Sequence, residues 1–175
     1  MFGSAQLIKD SDLFKNETKE YYSKSLEIYR KLGITCVFEV QSTITNFGTF
    51  LNENGEYQES VKLIPEAMKI CRNYFPANRL LLEKCHEILG MAQVKTGNAK
   101  EGIENLHAAF KICEETQNDS GLMALHYYNL ILGYKEDSQF EKAQYWGKIL
   151  LDMELICNGK GSPCIMSLFH QYIQK

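Results

Sequence analysis

Apolar residues return every three or four positions along most of this chain, the spacing of one face of a helix. The periodicity predicts about seven helices, among them 14–31, 35–53, 77–96 and 120–136, and no sheet. The pattern also repeats. "LNENGEYQESVKLIPEAMKI" over 51–70 is echoed by "QVKTGNAKEGIENLHAAFKI" over 93–112, so that Gly55 and Gly97, Ser60 and Gly102, Ala67 and Ala109, Ile70 and Ile112, and Cys71 and Cys113 each stand 42 positions apart. A register kept that long without a gap predicts stacked copies of one supersecondary unit.

The register extends in both directions. Thr18, Ser60, Gly102 and Ala143 form a column of small residues, followed one turn later by Tyr22, Ile64, Leu106 and Gly147, then by Ser25, Ala67, Ala109 and Leu150. Small residues facing large ones let two helices approach closely, which stacked helical hairpins require. A second apolar segment precedes each of these helices: Ile44, Phe47, Gly48 and Leu51 correspond to His86, Leu89, Gly90 and Gln93, and then to Tyr127, Leu130, Ile131 and Tyr134. Between the segments lie "NENGEY", "VKTGNA" and "KEDSQF". Gly55 and Gly97 suit the left-handed residue that ends a helix, and Asp137-Ser138 supplies turn chemistry at the third position. Each unit therefore reads as helix, tight turn, helix.

These residues resemble the tetratricopeptide repeat. "FGTFLNENGEYQESVKLIPEA" and "LGMAQVKTGNAKEGIENLHAA" match its loose pattern of a large residue near a glycine, then Gly-x-Tyr or Phe, a small residue and Ala; "LILGYKEDSQFEKAQYWGKIL" matches with its glycine displaced. The resemblance covers about 35–157 as three units, at a period of 41 to 42 rather than 34, as in kinesin light chain-like repeats. It implies an all-α, right-handed superhelix of antiparallel helix pairs, divided as 1–33 (partial repeat), 34–75, 76–117, 118–158 and 159–175 (partial repeat or tail). It also implies a concave groove lined by the first helix of each unit. Carried over residue by residue, that groove takes Ser42, Thr45, Thr49 and Asn52, then Lys84, Glu87, Met91 and Lys95, then Leu125, Tyr128, Leu132 and Lys135. These run from a hydroxyl-rich end through a charged middle to an apolar end, and suit an extended or helical peptide with one anchoring apolar group. The family's paired Lys and Asn clamp for a terminal carboxylate is not spelled out, since Lys84 has no Asn at the matching position of its helix. Pro65 departs from the pattern too, falling inside a predicted helix, where it removes one backbone hydrogen bond and is expected to kink it.

Composition narrows the partner. The 175 residues carry 19 basic and 22 acidic side chains with no basic stripe, which argues against nucleic acid. No apolar run approaches the roughly 20 residues a membrane span needs, and "MFGSAQLIKDSD" lacks a secretion-signal layout, so a cytoplasmic location is expected. Cys36, Cys71, Cys85, Cys113, Cys157 and Cys164 contain no C-x-x-C pair, and most lie in apolar helical runs, the places of reduced, buried thiols. Asn118, Asp119 or Ser120 reads as a helix cap.

The chemistry expected is none. His86, His107, His126 and His170 are the only imidazoles; His86 falls in a packing column, and the pair Cys164 and His170 lacks an orienting third residue. No H-E-x-x-H, phosphate-cradling glycine loop or G-x-S-x-G occurs, so no catalytic residue, metal ligand or cofactor is assigned. The opening segment reads as the tail of a first helix and "GSPCIMSLFHQYIQK" as the start of another unit, pointing to a longer solenoid or to self-association. The reading is a module that binds a protein or peptide; a regulatory segment of a larger enzyme, a peptide-sensing regulator and a self-association spacer are the alternatives.

Overall fold

The computed structural model describes residues 3–116 and 120–158, with side chains over 13–33, 35–116 and 122–153. Seven helices follow one another: α1 (Gly3–Leu32), α2 (Val37–Glu53), α3 (Tyr57–Tyr74), α4 (Arg79–Lys95), α5 (Ala99–Thr116), α6 (Ser120–Glu136) and α7 (Phe140–Asn158), with a 3-10 turn at Gly33–Cys36 joining the first two. No strand occurs among the described residues. One expectation is corrected at the N-terminal end. No break separates the opening segment from the helix predicted at 14–31, because α1 runs unbroken for 30 residues. Asp10, Ser11 and Asp12 resemble a cap, but inside a helix such residues cost only a few tenths of a kcal/mol each. Position 120 opens α6 as expected; Asn118 and Asp119 lie outside the described residues, as does 159–175.

The three turns are copies of one backbone arrangement. Gly55 (φ +77°), Gly97 (φ +88°) and Ser138 (φ +57°) are left-handed. At each, the following amide reaches back five residues: Glu56 N to Leu51 O (2.8 Å), Asn98 N to Gln93 O (2.9 Å) and Gln139 N to Tyr134 O (2.8 Å). This is the Schellman bond, which satisfies carbonyls that a helix end otherwise orphans. Glu59, Glu101 and Glu141 then stand in the first turns of α3, α5 and α7, where a carboxylate offsets the helix dipole by about 0.3–1 kcal/mol.

Within each pair the predicted small column sits at the helix crossing. A Cβ on Gly102 would meet the Gly90 carbonyl oxygen at 2.7 Å and the Val94 amide nitrogen at 2.8 Å, so α4 and α5 touch backbone to backbone. In the preceding pair, Ser60 Oγ donates to the Gly48 carbonyl at 3.4 Å. Around these crossings Ile44, Ile64, Leu106 and Leu130 are sealed at 0–1% exposure, each worth about 1.5–3 kcal/mol of burial. Pro65 lies on the exposed side of α3, which continues through it.

Neighbouring pairs stack asymmetrically. α2 contacts α4, and α4 contacts α6, whereas α3, α5 and α7 do not contact one another among the described residues. The first helices are therefore the crowded layer and the second helices the splayed one, which makes α2, α4 and α6 the inner surface. Replacing Gly102 with Leu must separate two backbones rather than shift a side chain. A cost of about 3 kcal/mol or more is expected, which lowers the melting temperature by roughly 6–12 °C in a chain of this size. An unchanged thermal melt of Gly102→Leu would contradict the crossing.

Candidate functional site: the inner surface of α2, α4 and α6

α2, α4 and α6 carry the residues predicted to line a groove, and the structure sorts them. Thr49, Asn52, Lys84, Glu87, Met91 and Lys95 line one open groove of about 250 Å³ between α2 and α4, together with Glu53, Tyr57 and Ile88. Asn52 builds its wall: Nδ2 donates to the Ile88 carbonyl at 2.9 Å, tying α2 to α4. The Asn52 Oδ1 finds no hydrogen-bond partner. Thr49 turns its hydroxyl back to the Thr45 carbonyl at 3.1 Å, leaving its methyl for the groove.

The remaining predicted positions stand elsewhere. Thr45 is 8% exposed, its hydroxyl bonded to the carbonyls of Gln41 (3.2 Å) and Ser42 (2.9 Å), so it is a packing residue. Half-buried Ser42 lies a turn before Thr45. On α6, Leu125 is exposed, Leu132 and Lys135 are half-buried, and Tyr128 packs against the second apolar core of Val94, Leu106, Leu130 and Leu150. None of these four lines the α2–α4 groove. Sequence reasoning missed Glu53, Tyr57 and Ile88. Tyr57 lines the groove from the start of α3, a place the first-helix rule does not cover, and Ile88 belongs to the core side of α4 yet borders the gap.

Charge on the groove is largely paired. Lys84 Nζ lies 3.1 Å from the Glu87 carboxylate, and Lys95 reaches across to Glu136 of α6 at 2.7 Å. Exposed pairs of this kind contribute about 0–1 kcal/mol, but they set where a charged partner is steered. The result is an apolar lining of Ile88, Met91 and Tyr57, with Lys84 and Lys95 about three turns apart along α4, each with an anionic neighbour.

The histidines are packed. His86 Nδ1 donates to Asn105 Oδ1 at 2.7 Å, within a network in which Asn105 Nδ2 donates to Gln93 Oε1 (2.7 Å) and Gln93 to Glu101 (3.1 Å). His107 shares a 2.7 Å hydrogen bond with the Tyr134 hydroxyl and lies against Trp146. Burial holds both rings below the usual histidine range, and Lys142 adds to the effect at His107. His126 is buried on α6 and donates from Nε2 to Glu83 Oε1 of α4 at 2.9 Å. His170 and Cys164 lie outside the described residues. Cys71, Cys85 and Cys113 are buried thiols and Cys36 a half-buried one, none of them in a disulfide.

Superposition on the crystal structure of BtubC (BKLC) from P. vanneervenii, a kinesin light chain-like protein, gives a TM-score of 0.67 at 19% identity, covering 91% of this chain and 67% of that one. The fold is a tetratricopeptide-like helical repeat. No protein-family model matches the chain, and no curated protein matches it either. No helix among the described residues is long and apolar enough to cross a membrane.

The depressed histidines give a pH dependence with a definite sign. The unfolded chain takes protons on these rings near pH 6.5, whereas the folded chain resists to lower pH. Stability is thus full above that value and lost as pH falls through the folded values. The melting temperature should fall between about pH 7 and pH 5, and fall less steeply in the double variant His86→Gln, His107→Gln. Equal slopes for the two proteins would show that these rings do not titrate differently on folding.

Proposed function

We propose that this chain is a protein-interaction module that holds a segment of a partner protein in the groove between α2 and α4 and has no chemistry of its own. The observation that carries this is the groove itself, with Ile88, Met91 and Tyr57 as apolar floor and Lys84 and Lys95 at its edges. Grooves of this composition favour a short segment bearing an apolar anchor beside an acidic residue, because the anchor supplies burial and the charge supplies orientation. The resemblance to tetratricopeptide repeats and the BtubC-like fold support a scaffold role. Alternation of Lys with Glu along the rim fits a protein ligand better than a polyanion, which would meet Glu53 and Glu87.

The test uses a photo-crosslinking residue at Glu53, at the groove edge, with identification of crosslinked protein from lysate. The double variant Lys84→Glu, Met91→Glu should bind the identified partner at least about tenfold more weakly, a loss of about 1.4 kcal/mol. Its helical circular dichroism should be unchanged, since both sites are at least partly open to solvent. Binding that survives the double variant would place the partner elsewhere.

A second reading, self-association, rests on α1. Phe14 (70% exposed), Tyr21 (68%) and Ile28 (57%) recur at seven-residue intervals on its outer face, an apolar stripe that a second copy can cover. Sedimentation of the purified chain should then show a dimer that Phe14→Ser with Ile28→Ser returns to monomer. A parent protein that is monomeric at all concentrations removes this reading.

A further inference from the structure

We propose that Glu83, Cys113 and His126 form a buried binding site for a thiophilic divalent cation of the zinc class. Three successive helices bring them together: Glu83 on α4, Cys113 on α5 and His126 on α6 are 5%, 0% and 1% exposed. One carboxylate oxygen, the Sγ and a ring nitrogen all lie within 4.8 Å of one another. In a tetrahedral zinc shell, with bonds of about 2.0–2.3 Å, such atoms stand roughly 3.5 Å apart, so small side-chain rotations close the shell.

The chemistry of the donors points to a cation rather than to a plain hydrogen-bonded cluster. A neutral imidazole has one N–H for two nitrogens. With Nε2–H given to Glu83 at 2.9 Å, Nδ1 is a buried lone pair, and it has no hydrogen-bond partner. With the proton on Nδ1 instead, Nε2 turns its lone pair on the carboxylate. Nδ1 is therefore a buried polar atom without a hydrogen-bond partner, and burying such a group unsatisfied costs about 1–3 kcal/mol. A dication can take one donor atom from each of the three residues. It binds the Cys113 sulfur as thiolate, displacing its proton to solvent, and the charges of thiolate, carboxylate and dication sum to zero. Thiolate with imidazole selects zinc over magnesium or calcium, and a water fills the fourth position.

The repeat supplies an internal control. One unit earlier in the 42/41 register the same places hold Gln41, Cys71 and Cys85, also buried, with the two thiols beside one another and burial pushing the Cys85 thiol well up. That cluster stays neutral. The exchanges of Gln for Glu and Cys for His turn the second copy into a ligand set.

The experiment loads the full chain with zinc chloride, removes loose ions by gel filtration and measures bound metal. About one zinc per chain is expected, with a raised melting temperature. Glu83→Gln, Cys113→Ser and His126→Gln should each weaken retention beyond the roughly 10- to 100-fold that loss of an outer-shell partner costs. Cys71→Ser with Cys85→Ser should retain it. Cobalt loading of the unaltered chain should give a thiolate charge-transfer band, a readout that holds even where a variant fails to fold. Absence of retained zinc and of that band, or retention that follows Cys71 and Cys85 instead, overturns the proposal. Loss of zinc leaves the groove proposal standing, since no residue is shared.

Discussion

Everything in this solenoid hangs on how closely two helices of a pair can approach. At the crossing of α4 and α5 the backbones meet with no side chain between them, Gly90 facing Gly102. The first pair solves the same problem less tightly, with Gly48 under Ser60, whose hydroxyl donates to the carbonyl it presses on. In the third pair Ile131 and Ala143 take the corresponding register positions, both buried, and Gly133 of α6 instead lies close to the preceding pair, where a Cβ would be 3.1 Å from Ile103 of α5. The spacing is thus nearly constant, 42 and then 41 residues, while the residues at the crossing differ from pair to pair.

From the stacking of the pairs follows the shape of the inner surface. Because α2, α4 and α6 touch in sequence while their partners do not, the gaps between first helices are narrow and lined at their ends by whatever the turns allow. At the α2–α4 gap the last turn of α2 brings Asn52 and Glu53, the start of α3 brings Tyr57, and α4 closes the far side. Between α4 and α6 the ion pair of Lys95 with Glu136 spans the step. The outer layer has its own tie at the other end, where Lys15 and Lys19 of α1 hold Glu56, and Lys19 also holds Glu59. These contacts keep the Glu56 carboxyl below the usual carboxylate range and push the Lys19 ammonium up.

Much of this was legible in the chain and some was not, for identifiable reasons. Turns are written in local chemistry, so Gly55 and Gly97 announced the left-handed positions and Asp137-Ser138 the third. Helix faces are written in spacing, and the columns through Ser60, Gly102 and Ala143 marked the crossings. The groove was legible only in part. Thr45 shares hydroxyl chemistry with Thr49, yet a turn of helix buries it, and no local signal separates the two. Tyr128 is half-buried and packs against the cluster that contains Val94, Leu106 and Leu130, away from the α2–α4 groove. The cluster of Glu83, Cys113 and His126 escaped notice because ligand motifs are read within one segment, and here three segments contribute one residue each.

Ser138 has a consequence for how the solenoid comes apart. Its left-handed backbone costs an L-residue roughly 1–2 kcal/mol that glycine at the other two turns does not incur. In a one-dimensional stack, where each unit is held by its neighbours alone, that deficit makes α6 and α7 the first pair to fray. Such an opening uncouples His126 from Glu83 and Lys95 from Glu136 while α2, α3, α4 and the groove between them stay folded. Two stabilities therefore coexist in one short chain: a durable half that carries the α2–α4 groove, and a looser half whose closure is reported by its contacts with α4.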